Sequence, residues 1–316
     1  MSINNRNGRA LEFAYLRALE NRLRPVRAVQ VTEDSRFLAA KASWDEIPDD
    51  MKKNFALSAN AGSEQILKAE PLISEAGTDI LEIKIQPDGA GIEGDVRDIL
   101  IIRSGICWEI GISVKNNNFA VKHSRLSSKL DFGYKWFGAK CSEQYWSDIK
   151  PVFDYLSKCK GENLNWGELP AKEKDVYVPL LTAFLAEIER AYAKHGEILA
   201  KNMVEYLIGN YDFYKVIGIN NKQVTRVQPY NLRGRLNKSN LRKPRWMIPV
   251  SAFPKRIIGV GFKPDSQSTV EIFMDNGWQF GFRIHNASTK VETSLKFDIQ
   301  IIGMPATFIS VDCNWE

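Results

Sequence analysis

Two short apolar runs, Ile99-Leu100-Ile101-Ile102 and Ile110-Gly111-Ile112-Ser113-Val114, lie on either side of Ser104-Gly105. Their length and β-branched content mark them as strands, within Val96–Arg103 and Ile106–Lys115, with the Ser-Gly pair as the turn of a hairpin. A half-exposed strand alternates apolar and polar residues, whereas these are apolar almost throughout, so their sheet must be covered on both faces. That requirement points to an α/β fold, a mixed sheet flanked by helices. The charges sit at the ends of the runs, Asp95 and Asp98 before the first and Lys115 after the second. Antiparallel pairing brings those ends together, and at the mouth of a covered sheet they meet in a cleft.

The residues around the hairpin supply the cover. Asn7 is the expected N-cap of a helix whose apolar face is Leu11, Ala14, Tyr15, Ala18, Leu19 and Leu23 and which Pro25 stops. Pro48–Ala59 and Ser63–Ile73 read as two more helices, Asp79–Gln86 as a strand, and Pro87–Gly94 as a Gly-rich loop. Helices return between Phe119 and Ile208, including a long one near Lys172–Lys194. From Tyr211 onward the pattern is strands and loops, with Asp275-Asn276-Gly277 turning a hairpin between Thr269–Met274 and Trp278–His285. The expected division is a core with a helical insertion over 1–209 and a β-rich basic module over 210–316.

The net charge of +5 is small, but between Phe213 and Pro264 there are 12 Lys or Arg and no Asp or Glu. The remaining residues are net acidic. A solvated face has no reason to exclude every acid over so long a stretch, so a polyanion is the expected partner. The four cysteines are scattered without a Cys-x-x-Cys pair, which excludes a zinc ribbon and a disulfide scaffold. No apolar run is long enough to span a bilayer and the polar start of the chain is no signal peptide, so the expected location is the cytoplasm. A phosphate-binding Gly-x-x-x-x-Gly-Lys-Ser/Thr loop is absent, as is the Gly-rich loop with Pro-Cys of a cytosine methyltransferase. His123, His195 and His285 do not form a His-x-Lys or ββα-metal nuclease pattern; His123 and His285 are expected to contact DNA or to pack.

Hydrolysis of a phosphodiester needs an oxygen ligand for Mg²⁺, a polarised water and a cation near the charge of the transition state. Asp98 and Lys115 at the mouth of the hairpin supply the minimum. An arbitrary Asp/Lys pair at a sheet edge is only a salt bridge; the apolar strands on both sides set this one apart.

Asp followed by an apolar strand, a turn and a strand ending in acid-x-Lys resembles the core of PD-(D/E)XK nucleases. Here Ser113 stands at the acid position, giving Ser-Val-Lys, which is similar to the NgoMIV-like branch, where a carboxylate further along the chain replaces the missing one. Longer blocks resemble HaeIII-type restriction endonucleases: Asn7-Gly-Arg-Ala-Leu-Glu-Phe13, Gly94-Asp-Val-Arg-Asp-Ile-Leu-Ile-Ile-Arg103 and Trp108-Glu-Ile-Gly-Ile-Ser-Val-Lys115. So do Val121-Lys-His-Ser-Arg-Leu-Ser127, Phe282-Arg-Ile-His-Asn-Ala-Ser288 and Ser294-Leu-Lys-Phe-Asp298. The resemblance implies a type II enzyme that cuts GGCC with Mg²⁺, acts as a homodimer on its palindrome and belongs to a system with a cognate methyltransferase. It implies Asp98 as the first metal ligand and Lys115 as the catalytic cation, with Ser113 beside them. Asp131 is the nearest downstream acid able to replace the missing carboxylate, and Glu12 stands on the first helix where related nucleases add one. Asp95 would ordinarily face away from Asp98, unless a bulge exchanged their roles. Glu109 lies about 20 Å from Lys115 along an extended strand and cannot easily substitute.

DNA contacts are expected from Arg125 and its neighbouring serines, from Arg233, Arg235, Lys238, Arg242, Lys243 and Arg245 in the basic stretch, and from Arg283, His285 and Asn286. Arginine pairs are the usual readers of guanine, which suits a G/C-rich target. The competing reading is a catalytically silent DNA-binding or regulatory protein.

Overall fold

The computed structural model describes residues 3–87 and 94–316, so most of the expected Pro87–Gly94 loop lies outside the described residues. The chain forms two compact units, each discontinuous. The first comprises Met1–Phe119, Gly209–Ser251 and Thr307–Glu316; the second comprises Ala120–Ile208 and Ala252–Ala306. The chain crosses between Ile208 and Gly209, one residue before the expected division at 209/210, and residues of both expected domains lie in both units. The physical reason is pairing across the insertion, described next.

The first unit is built on a seven-stranded mixed sheet. Its strands are β1 (Val29–Val31), β2 (Leu81–Ile85), β3 (Ile99–Arg103), β4 (Trp108–Asn116), β6 (Phe213–Ile219), β7 (Val224–Tyr230) and β12 (Val311–Asn314), hydrogen-bonded in that order. The expected hairpin is β3–β4, in register from Ile99 opposite Ile112 to Arg103 opposite Trp108. β4 then pairs with β6 in parallel, which draws the first part of the basic stretch into this sheet. Helices α1 (Ile3–Leu23), α2 (Ser35–Glu46), α3 (Asp49–Ala69) and α4 (Pro71–Ser74) complete the unit. Ile83, Ile101, Ile112, Val114, Val216 and Val227 share one buried core with Leu11, Tyr15 and Leu19 of α1 and Phe55 and Ile66 of α3.

Two helical expectations need correction. Asn7 is not an N-cap, because no breaker stands between Ile3 and Asn7 and α1 runs through it. α3 is continuous where two helices were expected. Gly62, between the two expected stretches, is there for packing: a Cβ at this position would lie 2.6 Å from the Tyr15 hydroxyl, so glycine lets α3 approach α1.

The second unit holds a five-stranded antiparallel sheet in the order β5 (Lys122–Ser127), β11 (Ser294–Gly303), β10 (Gln279–His285), β9 (Thr269–Met274) and β8 (Ile257–Phe262). Its helices are α5 (Phe132–Phe137), α6 (Glu143–Gly161), α7 (Val178–His195) and α8 (Glu197–Ile208). The expected turn at Asp275–Gly277 joins β9 to β10. β5 falls where only helices were expected. Ser124 and Leu126 are buried while His123 and Arg125 are exposed, the period-two pattern of a strand with one covered face. Trp136, Phe184, Phe282 and Phe297 stack into the core beneath it. Residues 210–316 are β-rich as expected, with their strands divided between the two sheets. No helix among the described residues is long and apolar enough to cross a membrane.

Candidate active site

Where β3 begins, a line of polar side chains crosses the first sheet. Ile85 of β2 is opposite Ile99 of β3, and the next pair outward, Gln86 and Asp98, is joined by Gln86 N donating to Asp98 O at 2.8 Å. Asp98 N donates to Ile112 O at 2.8 Å, which sets Asp98 against Ser113 of β4. Ser113 is paired with Lys215 of β6, and Lys215 with Gln228 of β7. Laterally paired residues share a face, so Gln86, Asp98, Ser113, Lys215 and Gln228 form one polar row, opposite the face carrying Ile112, Val114 and Val216.

Asp98 is the centre of this row. One carboxylate oxygen, Oδ2, accepts from Val114 N at 2.6 Å, Lys115 Nζ at 3.0 Å and Ser113 Oγ at 3.2 Å. The bond from Val114 N continues the β3–β4 ladder by one rung, with the side chain standing in for a backbone carbonyl. This fixes the carboxylate while leaving it accessible: the Asp98 side chain is 24% exposed and that of Lys115 31%. Asp98, Ser113 and Lys115 are thus brought together as the sequence led one to expect.

Asp95 is placed differently. It accepts from Arg97 Nε at 2.8 Å and from the NH2 nitrogen of Arg97 at 2.7 Å, and Gln86 Nε2 donates to it at 2.6 Å. Arg97 is buried, lies over the Tyr211 ring at 3.9 Å and makes a second ion pair with Glu109 at 2.9 Å. Burial works against the guanidinium charge, but the bonds and charges of Asp95 and Glu109 outweigh it and raise the Arg97 pKa. Gly111 makes room for this side chain, since a Cβ there would fall 2.1 Å from Arg97 Cδ. Asp95 and Glu109 therefore serve one buried arginine.

Of the two supporting acids, Glu12 lines a pocket of about 400 Å³ together with Arg9, Arg36 and Gln86, the end of the polar row. Asp131 is the N-cap of α5, accepting from Tyr134 N at 2.9 Å and Cys141 N at 3.1 Å. Lys215 went unrecognised in the sequence because it was counted among the cations of the basic stretch. The available signal was a lone lysine inside Phe213–Ile219, where every residue is buried.

The segment after β7 is a built surface. Asp212 accepts from the backbone N–H groups of Leu232, Arg233 and Arg235. Glu70 accepts from Asn237 N and the Tyr214 hydroxyl, and Glu75 from Leu241 N and Arg242 N. Burial pushes the Glu70 pKa up to about 7. All three acids are buried and come from outside the basic stretch, so they hold its backbone while Arg235, Lys238, Arg242, Lys243 and Arg245 stay exposed. Arg233 is half-buried. Other cations of the stretch are spent internally: Lys215 is buried, and Arg226 pairs with Asp312 at 2.7 and 2.8 Å.

In the second unit, Arg125, Lys296 and His285 are paired in one row across β5, β11 and β10, and His123, Asp298 and Arg283 in another. Arg125 is exposed and bonded to Glu292 and Ser294; burial, then Arg283 and Lys296, lower the His285 pKa. The Asn286 side chain donates to Ser288 O and Lys290 O and accepts from Glu292 N, building its own loop.

Among the described residues no group of three or more His, Cys, Asp or Glu converges as a metal cage. The donor set at Asp98, one accessible carboxylate beside a hydroxyl, fits a hard cation held by few protein oxygens and completed by water and phosphate, as Mg²⁺ commonly is.

The HaeIII restriction endonuclease family model matches residues 8–305. The type II restriction enzyme HaeIII of Haemophilus aegyptius is 48% identical over 313 residues, covering 99% of this chain and 98% of that protein. No solved structure matches. Matched over nearly its whole length, the chain belongs to the HaeIII restriction endonuclease family.

Proposed function

We propose that this protein is a type II site-specific deoxyribonuclease that hydrolyses double-stranded DNA at GGCC with Mg²⁺, as a homodimer matched to the palindrome. The observation that carries the reading is the convergence of Asp98, Ser113 and Lys115 at the accessible end of a covered hairpin. Asp98 is the metal ligand, and Glu12, which lines a pocket with Gln86 of the polar row, the supporting carboxylate. A divalent cation at Asp98 supplies Lewis-acid polarisation of the phosphate and an acidified water. Ser113 and Val114 N hold the carboxylate in one orientation. Lys115, an ammonium on a half-exposed side chain beside Asp98, neutralises charge developing on the phosphate.

The exposed arginines of residues 231–251 and the outer face of β5, β10 and β11 bind DNA. The first group is the better candidate for reading guanine, because its backbone is held by buried acids and its side chains are presented outward. A methyltransferase of the same specificity would protect the host sites.

The test is plasmid DNA with and without GGCC, incubated with Mg²⁺ or with EDTA. The expected result is discrete fragments ending within GGCC, formed only in Mg²⁺. Tight binding to GGCC without cleavage, under either condition, would mean a silent DNA-binding protein and overturn the reading.

A further inference from the structure

Lys215 is an anomaly of composition. It is 3% exposed in a strand whose other residues, Phe213 to Ile219, are all buried. Removing an ammonium from water is costly, and replacing a buried charge by an apolar side chain of similar volume is often neutral or stabilising. Stability therefore does not account for a lysine here. Its place in the sheet does: it stands beside Ser113 in the polar row, and Ser113 holds Asp98. Its Nζ donates to Phe119 O at 3.0 Å. Two further bonds fasten the same outgoing chain, Asn117 N to Gly218 O at 2.8 Å and Asn220 N to Asn117 Oδ1 at 3.1 Å. Burial first, then the charge of Lys115, draw the Lys215 pKa down to about 7 against the opposing pull of Asp98.

We propose that Lys215 is a positioning residue of the nuclease site, holding through Phe119 the chain that leaves β4 just after Lys115 and standing beside the Asp98–Ser113 pair. It is too buried to touch DNA and acts through these neighbours. The proposal rests on the nuclease reading and deepens it.

The test compares Lys215→Met and Lys215→Arg with wild type in three measurements: single-turnover cleavage of a GGCC duplex, affinity for that duplex without metal, and thermal melting of the free protein. Misplacing a catalytic group by an ångström costs about 100-fold in rate, so Lys215→Met should lose about that factor in cleavage. Its metal-free affinity should stay within about threefold and its melting temperature should be unchanged or higher. Lys215→Arg, which keeps charge and donor, should recover about tenfold of the loss. If the Met variant does not fold, Lys215→Gln retains a donor for Phe119 O without the charge and carries the same comparison. Cleavage within about threefold of wild type, or rate, affinity and melting falling together, would overturn the proposal. A wild-type protein that does not cut GGCC would instead sink the nuclease reading, so the two failures are distinct.

Discussion

Asp95 and Asp98 are three residues apart, equal in charge and both at the mouth of the same hairpin, yet the structure gives them opposite employments. Asp95 is 12% exposed and takes both prongs of a guanidinium that is itself 4% exposed. Asp98 is twice as accessible and meets an ammonium, a hydroxyl and a backbone N–H on one oxygen. The arginine is planar, buried and engaged on both sides, by Asp95 and by Glu109, so its charge is already matched within the protein. The lysine is a point charge on a long stem, half-exposed at the open end of the hairpin. An acid's role is thus set by the type of cation opposite it and by whether that cation is still open to a ligand.

The sharpest way to break the comparison is Asp98→Ala, expected to reduce Mg²⁺-dependent cleavage by more than about 1,000-fold in a plasmid assay, because the site loses its metal ligand. Lys115→Ala should follow with a loss of about 100-fold or more in turnover while specific DNA binding persists. Normal cleavage by either variant would show that the hairpin is only structural. Asp95→Ala should instead act on the fold, costing about 3 kcal/mol in urea denaturation by stranding part of a buried guanidinium. An Asp95→Ala protein of normal stability and no activity would exchange the two roles.

Single alanine variants at Arg233, Arg235, Arg242 and Arg245 should separate into two groups in titrations on GGCC and non-GGCC duplexes at several salt concentrations. A guanine reader costs about 1–3 kcal/mol on the cognate site alone, whereas a phosphate contact weakens all sequences and flattens the salt slope by about one unit. Four silent variants would move recognition to Arg125 and the β10 strand. The smallest effect should come from Glu12→Gln, which is expected to raise the Mg²⁺ concentration needed for half-maximal cleavage. Asp131→Asn should do little beyond weakening a helix cap by about 1 kcal/mol or less. A metal requirement that shifts with Asp131→Asn and not with Glu12→Gln would reverse that assignment.

The hairpin was legible because its signals are local: strand length, apolar continuity and charges at the ends all lie within residues 94–116. The preference for Asp98 comes from the resemblance and the opposite facing of Asp95 from strand phase, but the capture of Asp95 by Arg97 has no such local signal, since it needs Gly111 to clear a path. Lys215 was hidden for a different reason. Its neighbour Ser113 lies far away in sequence, and parallel pairing across an insertion leaves no short-range trace. The basic stretch was read as one surface because charge was counted without burial, so Lys215 and Arg226 were included with cations that do face solvent. β5 was legible in principle, but its alternation is short and set among helices. The expected break in α3 falls at Ala61-Gly62, where the glycine serves a close approach to Tyr15 and the helix continues.

The interleaved path of the chain also governs how the enzyme comes into being. Asp98 and Lys115 belong to a segment that ends at Phe119, and the chain returns to that unit only at Gly209. During synthesis the hairpin emerges first and must wait for roughly a hundred further residues before β6 can dock against β4, a closure that slows folding. A nascent chain that has not yet reached Phe213 therefore carries Asp98 and Lys115 without the strand that flanks β4, and the two residues gain their neighbour Lys215 only once Phe213–Ile219 has been made and docked.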